Sequence, residues 1–298
     1  MTTAPVWEAG EKTHRDENFP VASHLVSKWH RPVILAFYRF ARAADDVADH
    51  PELSESEKLH KLDQFEETLL GKSDEIADAL PLRAAIADRG LSPKHGQDLL
   101  VAFRMDATRR RYADWDDLIN YCAYSAMPVG RFVLDVHGES RATWPANDAL
   151  CAALQIINHL QDCGADYRRL DRVYTPLDRL AARNVPVEAL AAPKASPDLL
   201  KTIHELAAKT KELLGAADLS RGIRDLRLSL EVAAIERLAR KLVQMLLERD
   251  PLSEPVHLTK LGFAYNLITA ASIALGRRLF APDNAAAALR GIDDQPSP

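Results

Sequence analysis

Apolar residues recur at three- and four-residue spacing along much of the chain, which is the period of an α-helix. The spacing is clearest in Pro32 to Asp49, Asp148 to Tyr167 and Ile223 to Arg249, segments that are also rich in Ala, Leu and Arg. No segment shows the strict alternation of a half-buried strand, and no Asn-Gly hairpin signal occurs. The pattern predicts an all-α protein.

Local signals indicate where helices begin. Pro32 is expected near the first turn of one helix, Ser54 and Glu57 have the spacing of a capping box, and Ser92-Pro93 is typical of a helix start. The three prolines between Ala182 and Pro197 indicate a connection without a change in composition. We therefore expect one domain over residues 18–281, with an N-terminal extension over 1–17 and a flexible tail over 282–298.

One predicted helix carries a polar stripe. With Tyr38 at zero on a helical wheel, Arg42, Asp45 and Asp49 fall within about 40° of it. Apolar side chains such as Phe40 occupy the opposite side, which can pack while the stripe faces a polar environment.

A second predicted helix repeats this geometry. Gln155, His159, Asp162 and Asp166 have the same four-three-four spacing, and Asn158 lies about 60° to one side. His159 could contact a ligand or satisfy a hydrogen bond in the core. Buried carboxylates need partners, so two such stripes on apolar helices predict a bound cation.

The aspartates supply hard oxygen ligands but too few to enclose an ion. Mg²⁺ is usually bound in this way, with waters and substrate phosphates completing its octahedron. A single Asp-x-x-x-Asp is common on solvated helix faces, whereas two with matching surroundings are specific. The sequence therefore predicts that Asp45, Asp49, Asp162 and Asp166 hold Mg²⁺ against a phosphate-bearing substrate.

Composition limits the partners, cofactors and cellular location that we expect for this protein. The net charge of −5 disfavours a nucleic-acid partner, and no Gly-rich nucleotide loop is present. Three cysteines without paired spacing indicate neither a disulfide scaffold nor zinc, and the polar N-terminus lacks a signal peptide. The stretch Leu261 to Leu275 is too short and polar to span a bilayer and is expected to be a buried helix. We expect a cytoplasmic protein, with peripheral contact at the inner membrane or with pathway enzymes left open.

Four segments together resemble the squalene/phytoene synthase family of head-to-head prenyl synthases. They are DDVAD with Tyr38 and Arg42 upstream, DLINYCAYSAMPVGRFVL, QDCGAD with Gln155 and Asn158 upstream, and RVYTPLDRL. The match is ordered and extends from Phe19 to about Leu180. The resemblance implies an all-α isoprenoid synthase fold with a central cavity and the two aspartate motifs facing each other near its mouth.

The resemblance also implies residue roles. The four aspartates would be catalytic metal ligands, with Asn158 as a further ligand and Tyr38 as a catalytic residue. Asp46 ranks below them because it lies about 100° from Asp45 on the wheel. The implied substrate contacts are Arg42, Tyr121, Gln155, Asn158 and Phe19.

The middle segment has its own physical interpretation. Pro128 within a helical pattern predicts a kink, and its neighbours Ala123, Ser125, Ala126 and Gly130 are small. Such residues also serve close helix packing, but together with the aspartate pairs they favour a tunnel for a prenyl chain. Tyr121 or Phe132 could then stabilise carbocations through their ring faces. The basic run from Thr108 to Trp115 is either a solvated helix end or a cover for the diphosphate.

Two departures from the wider family refine the expected reaction. Residues 16–20, DENFP, are acidic where many members carry a phosphate-binding stretch. ENFP and the later SAMPVGR instead resemble the hopanoid-pathway subfamily, which implies Mg²⁺-dependent conversion of presqualene diphosphate to hydroxysqualene. The alternatives are condensation of two farnesyl or geranylgeranyl diphosphates to presqualene diphosphate, squalene, dehydrosqualene or phytoene, and a non-catalytic assembly protein of the same fold.

Overall fold

The computed structural model describes residues 27–258 and residue 269, and most of them are helical. The α-helices are α1 (Arg31–Ala48), α2 (Glu55–Leu69), α3 (Leu80–Arg89), α4 (Lys94–Thr108), α5 (Trp115–Ser125), α6 (Met127–Val136), α7 (Trp144–Gln161), α8 (Cys163–Leu170), α9 (Leu177–Ala181), α10 (Pro197–Ala216), α11 (Leu219–Gly222) and α12 (Leu226–Leu246). Short 3-10 helices cover Arg141–Thr143 and Val187–Ala191. Within the described residues there is no strand, only an isolated bridge between Arg111 and Val173. The all-α prediction is confirmed.

The predicted helix starts are also confirmed. Pro32 lies in the first turn of α1, where its missing N–H costs no hydrogen bond. Ser54 and Glu57 form the capping box of α2, in which Glu57 Oε2 accepts from the Ser54 N–H at 2.9 Å. Pro93 precedes the first residue of α4.

Two segments predicted as continuous helices are interrupted. Ala126 leaves the helical conformation between α5 and α6, and Pro128 lies in the first turn of α6 rather than at a kink. Proline lacks an N–H, so it is accommodated best where a new helix begins. The second break is at Asp162, between α7 and α8, although the Asp166 N–H still donates to the Asp162 carbonyl at 2.8 Å.

Buried apolar side chains form two clusters. One cluster is formed by helices α1, α2, α3, α4 and α6. It includes Phe37 and Phe132, whose rings stack with centroids 4.0 Å apart. Phe132 is 1% exposed in this stack, so its described environment is a packed core. The other cluster joins α5, α7, α10 and α12 and contains Tyr121. Val133 packs against both clusters.

Other sequence predictions concern membrane contact and the chain ends. No helix within the described part of the chain is long and apolar enough to cross a membrane. All three cysteines are free, which confirms that they form no disulfide. Phe19, the N-terminal extension, the predicted helix over residues 261–275 and the predicted tail lie outside the described residues, except for helical residue 269.

Candidate active site

The first polar stripe lies along α1 and its C-terminal end. Phe40 and Ala44 on the packed side are fully buried, which fixes the direction in which the stripe faces. Asp49 is the residue after the last turn, and its N–H donates to the Asp45 carbonyl at 2.9 Å. The two aspartates are therefore one helical turn apart at the end of α1.

Arg42 pairs with the acidic residues of its own helix. Its guanidinium lies 3.1 Å from Asp45 Oδ2 and 2.8 Å from Asp46 Oδ1, and all three side chains are partly exposed. Arg42 thus forms ion pairs with both Asp45 and Asp46. A diphosphate contact for Arg42 stays a prediction.

A second cation, Arg172, comes from the segment after α8. Its NH1 lies 2.6 Å from Asp49 Oδ1, and its NH2 donates to the Asp106 carbonyl at 2.9 Å. The Arg172 backbone N–H donates to the Asp166 carbonyl at 3.3 Å. One residue therefore contacts both aspartate motifs, and sequence analysis missed it because neither stripe contains it.

Asp106, on α4, is a buried carboxylate that sequence analysis also missed. Its two oxygens accept hydrogen bonds from the hydroxyls of Tyr121, at 2.9 Å, and Tyr174, at 3.1 Å. Tyr112 stacks on Tyr174 with centroids 5.4 Å apart. The predicted site residue Tyr121 is thus held by a carboxylate from another helix.

The second stripe reaches the same tyrosines. His159 stacks on Tyr174, and the Gln155 amide donates to His159 Nε2 at 2.9 Å. His159 then carries its proton on Nδ1, which lies 3.9 Å from Asp166 Oδ2. Gln155, His159 and Asp166 therefore belong to one connected group. The predicted metal or substrate roles of Gln155 and Asp166 stay predictions, as do those of Asn158, Asp162 and Tyr38.

Two carboxylates in this region, those of Asp45 and Asp106, have raised pKa values. Burial and the neighbouring Asp49 carboxylate raise the pKa of Asp45 to about 7, against the opposing effect of Arg42. The Asp45 side chain keeps 35% of its surface exposed, so solvent screens part of this effect. Burial also raises the pKa of Asp106 to about 6, although Arg172 and Tyr121 favour its ionised form. Added positive charge would therefore stabilise the ionised site.

The side chains that could ligate a metal ion are not grouped into a complete site among the described residues. Among residues 27–258 and 269, no three or more His, Cys, Asp or Glu side chains are grouped so that they could hold one ion. The donors present are nevertheless carboxylates under mutual repulsion, which is the chemistry that suits a hard divalent cation. The residues fit Mg²⁺ by donor type and charge.

The basic run after α4 is engaged in ion pairs. Arg109 pairs with Asp117 on α5, while Arg110 and Arg111 pair with Asp171 at the end of α8. These contacts join the segment to the one that carries Arg172. A direct role over the diphosphate stays a prediction.

Comparison with known proteins decides the family. A model of squalene/phytoene synthase matches residues 12–262, which is most of the chain. The chain belongs to this family. The enzymes of this family process prenyl diphosphates. The match confirms the predicted family, and the curated relatives confirm the prediction that the chain is an enzyme.

Individual relatives agree with this assignment. The hydroxysqualene synthase of Rhodopseudomonas palustris is 55% identical over 281 residues, covering 94% of this chain and 96% of that protein. The hydroxysqualene synthase of Sinorhizobium fredii is 53% identical over 268 residues, covering 90% and 92%. The crystal structure of squalene synthase HpnC from Alicyclobacillus acidocaldarius superposes with a TM-score of 0.68 at 26% identity, covering 76% of this chain and 87% of that one. These matches confirm the predicted isoprenoid synthase fold.

Proposed function

We propose that this chain is a hydroxysqualene synthase that converts presqualene diphosphate and water to hydroxysqualene and diphosphate. The observation that carries the proposal is the 53–55% identity to two hydroxysqualene synthases over at least 90% of each chain. The acidic residues Asp16 and Glu17 fit a reaction in which one diphosphate leaves, rather than one that binds two diphosphate substrates.

The reaction requires charge separation in an apolar setting. The C–O bond to diphosphate breaks and its electron pair leaves with the diphosphate, so that a cyclopropylcarbinyl cation remains. After rearrangement, a water oxygen forms the new C–O bond and loses one proton. The protein must bind the anion, shelter the cation and admit one water.

The aspartate motifs serve the leaving group in this proposal. Asp45, Asp49, Asp162 and Asp166, with Asn158, would hold Mg²⁺, which supplies positive charge that stabilises the departing diphosphate. The raised pKa of Asp45 supports this role, because burial and, after it, repulsion by the Asp49 carboxylate disfavour the ionised form, and a bound cation would offset both effects.

The remaining predicted residues act on the substrate. Arg42 contributes a guanidinium to the diphosphate, and Tyr38, Gln155 and Phe19 contact the prenyl chain or the reacting carbons. The face of the Tyr121 ring stabilises positive charge on carbon, because the face of an aromatic ring is negative. Its hydroxyl is held by Asp106, which fixes the ring's orientation.

Product analysis tests the proposal. The full chain is incubated with Mg²⁺ and either presqualene diphosphate or farnesyl diphosphate, without NADPH, and products are identified by mass spectrometry. We expect hydroxysqualene from presqualene diphosphate and no consumption of farnesyl diphosphate. Consumption of farnesyl diphosphate would overturn the substrate assignment, and presqualene diphosphate that stays intact would overturn the activity.

A further inference from the structure

Arg172 occupies the position that joins the two aspartate motifs. We propose that it is a positioning residue that holds Asp49 in the metal-free enzyme and exchanges this carboxylate for the substrate diphosphate when a divalent cation binds. The inference rests on the proposed function, since it concerns the same diphosphate site.

Arg172 makes two kinds of contact. Those of its backbone N–H and its NH2 group are fixed, whereas that of its NH1 group can be exchanged. The backbone N–H is bound to the Asp166 carbonyl, and NH2 is bound to the Asp106 carbonyl. NH1 pairs with the Asp49 carboxylate, which is 36% exposed and can be reached by an added cation. The Arg172 side chain is 8% exposed, so it is shielded from bulk water. It can therefore change its anionic partner while its other contacts hold it in place.

The charges explain why an exchange would couple two ligands. Four carboxylates, those of Asp45, Asp46, Asp49 and Asp106, lie near two guanidinium groups, those of Arg42 and Arg172. A cation that binds Asp49 competes with Arg172, which then keeps only the nearby Asp106 carboxylate as a negative neighbour. An added anion can take the place of Asp49, and a planar guanidinium suits phosphate oxygens. Metal binding and diphosphate binding should therefore strengthen each other.

Two variants with opposite expected effects test this coupling. In Arg172→Gln the competitor for Asp49 is gone, so Mg²⁺ alone should bind roughly tenfold tighter, since an opposite charge at ion-pair distance stabilises a carboxylate by about that factor or more. Inorganic pyrophosphate, titrated in the presence of Mg²⁺, should bind at least about tenfold weaker because its guanidinium partner is lost. Both affinities are measured by isothermal titration calorimetry.

The control is Arg183→Gln, which removes an ion pair to Glu205 on α10. It should leave both affinities within about twofold of the wild type. Arg172→Lys keeps the charge without the planar group, so we expect it to recover part of the pyrophosphate affinity.

The outcomes distinguish this inference from its alternatives. A merely structural Arg172 would give parallel losses of Mg²⁺ and pyrophosphate affinity, and such parallel losses, or no change, would overturn the proposal. Circular dichroism checks folding; if Arg172→Gln does not fold, Arg172→Lys decides, because its retained charge should leave Mg²⁺ affinity within about twofold of the wild type while pyrophosphate affinity falls. Neither titration contains a prenyl substrate, so an inactive enzyme would overturn the proposed function without affecting this result.

Discussion

Asp106 is a buried carboxylate whose ionisation opposes folding. Its pKa is raised from 3.8 to about 6, chiefly by burial, so the native state binds a proton more tightly than the unfolded chain. The stabilisation that the native state gains from this tighter proton binding is complete below pH 3.8 and is lost as the pH rises through about 6. At neutral pH the ionised Asp106 carboxylate lowers the free energy of unfolding, and such perturbed groups are typical of functional sites.

Replacement of Asp106 by Asn should remove that pH dependence. The free energy of unfolding of Asp106→Asn, relative to the wild type, should increase by up to about 3 kcal/mol between pH 4 and pH 6.5. Urea denaturation at several pH values measures the difference. Parallel stability curves would show that Asp106 does not titrate in this range.

Tyr121 and Tyr112 differ in whether their buried hydroxyls have partners. The Tyr121 hydroxyl donates to Asp106, whereas the Tyr112 hydroxyl, buried nearby, has no hydrogen-bond partner among the described residues. Tyr121→Phe should lower the free energy of unfolding by about 1–3 kcal/mol, because Asp106 loses a donor. Tyr112→Phe is the matched control and should change it by less than about 0.5 kcal/mol. Equal effects in thermal or urea denaturation would contradict the assigned hydrogen bond.

At the scale of elements, α6 packs closely on α7 through Gly130. A Cβ at this position would overlap the Asn147 amide oxygen and lie 2.7 Å from Cys151 Sγ. Gly130 therefore serves close helix packing, while room for a prenyl chain beside the other small residues of this segment stays a prediction. The break between α5 and α6 at Ala126 lets α5 carry Tyr121 toward α4 while α6 follows α7.

Alanine substitution tests this contact between helices. Gly130→Ala should lower the free energy of unfolding by about 1–3 kcal/mol, since α6 and α7 must separate to admit the methyl group. Gly215→Ala, on α10, is the control: no atom lies within 4 Å of its added Cβ, so higher helix propensity should stabilise the protein by up to about 1 kcal/mol. Chemical denaturation compares both with the wild type, and a neutral Gly130→Ala would show that the helices are not in close contact there.

At the scale of the whole molecule, the proposed activity needs both aspartate motifs. Asp49→Asn and Asp166→Asn each remove one carboxylate charge from a different motif. Each should lower kcat/KM for presqualene diphosphate by about a hundredfold and raise the Mg²⁺ concentration needed for half-maximal rate. Asp198→Asn, at the exposed start of α10, should leave both values unchanged. Full activity in Asp166→Asn would show that the second motif is not part of the site.

Local chemistry explains why the helices and the family could be predicted. The capping box at Ser54, Pro32 in a first turn and the apolar period of α1 act over a few residues, so they can be recognised without knowing the fold. At Pro128 the sequence predicts a kink, whereas the structure has a complete break two residues earlier, at Ala126. The break at Asp162 is not predicted, because the apolar period continues across it. Backbone direction there depends on packing against other helices.

The sequence by itself determined the all-α class, the two aspartate stripes and the family, because helix period and motif spacing are properties of neighbouring residues. Only the tertiary structure decided how the carboxylates are neutralised and oriented. Arg172, Asp106 and Tyr174 come from a loop, from α4 and from a second loop position, and no local pattern marks their approach to Asp49, Tyr121 and His159. Asp106 lies 15 residues from Tyr121 and 68 from Tyr174 along the chain, so their contacts arise from the packing of separate segments. Burial raises the pKa values of Asp45 and Asp106.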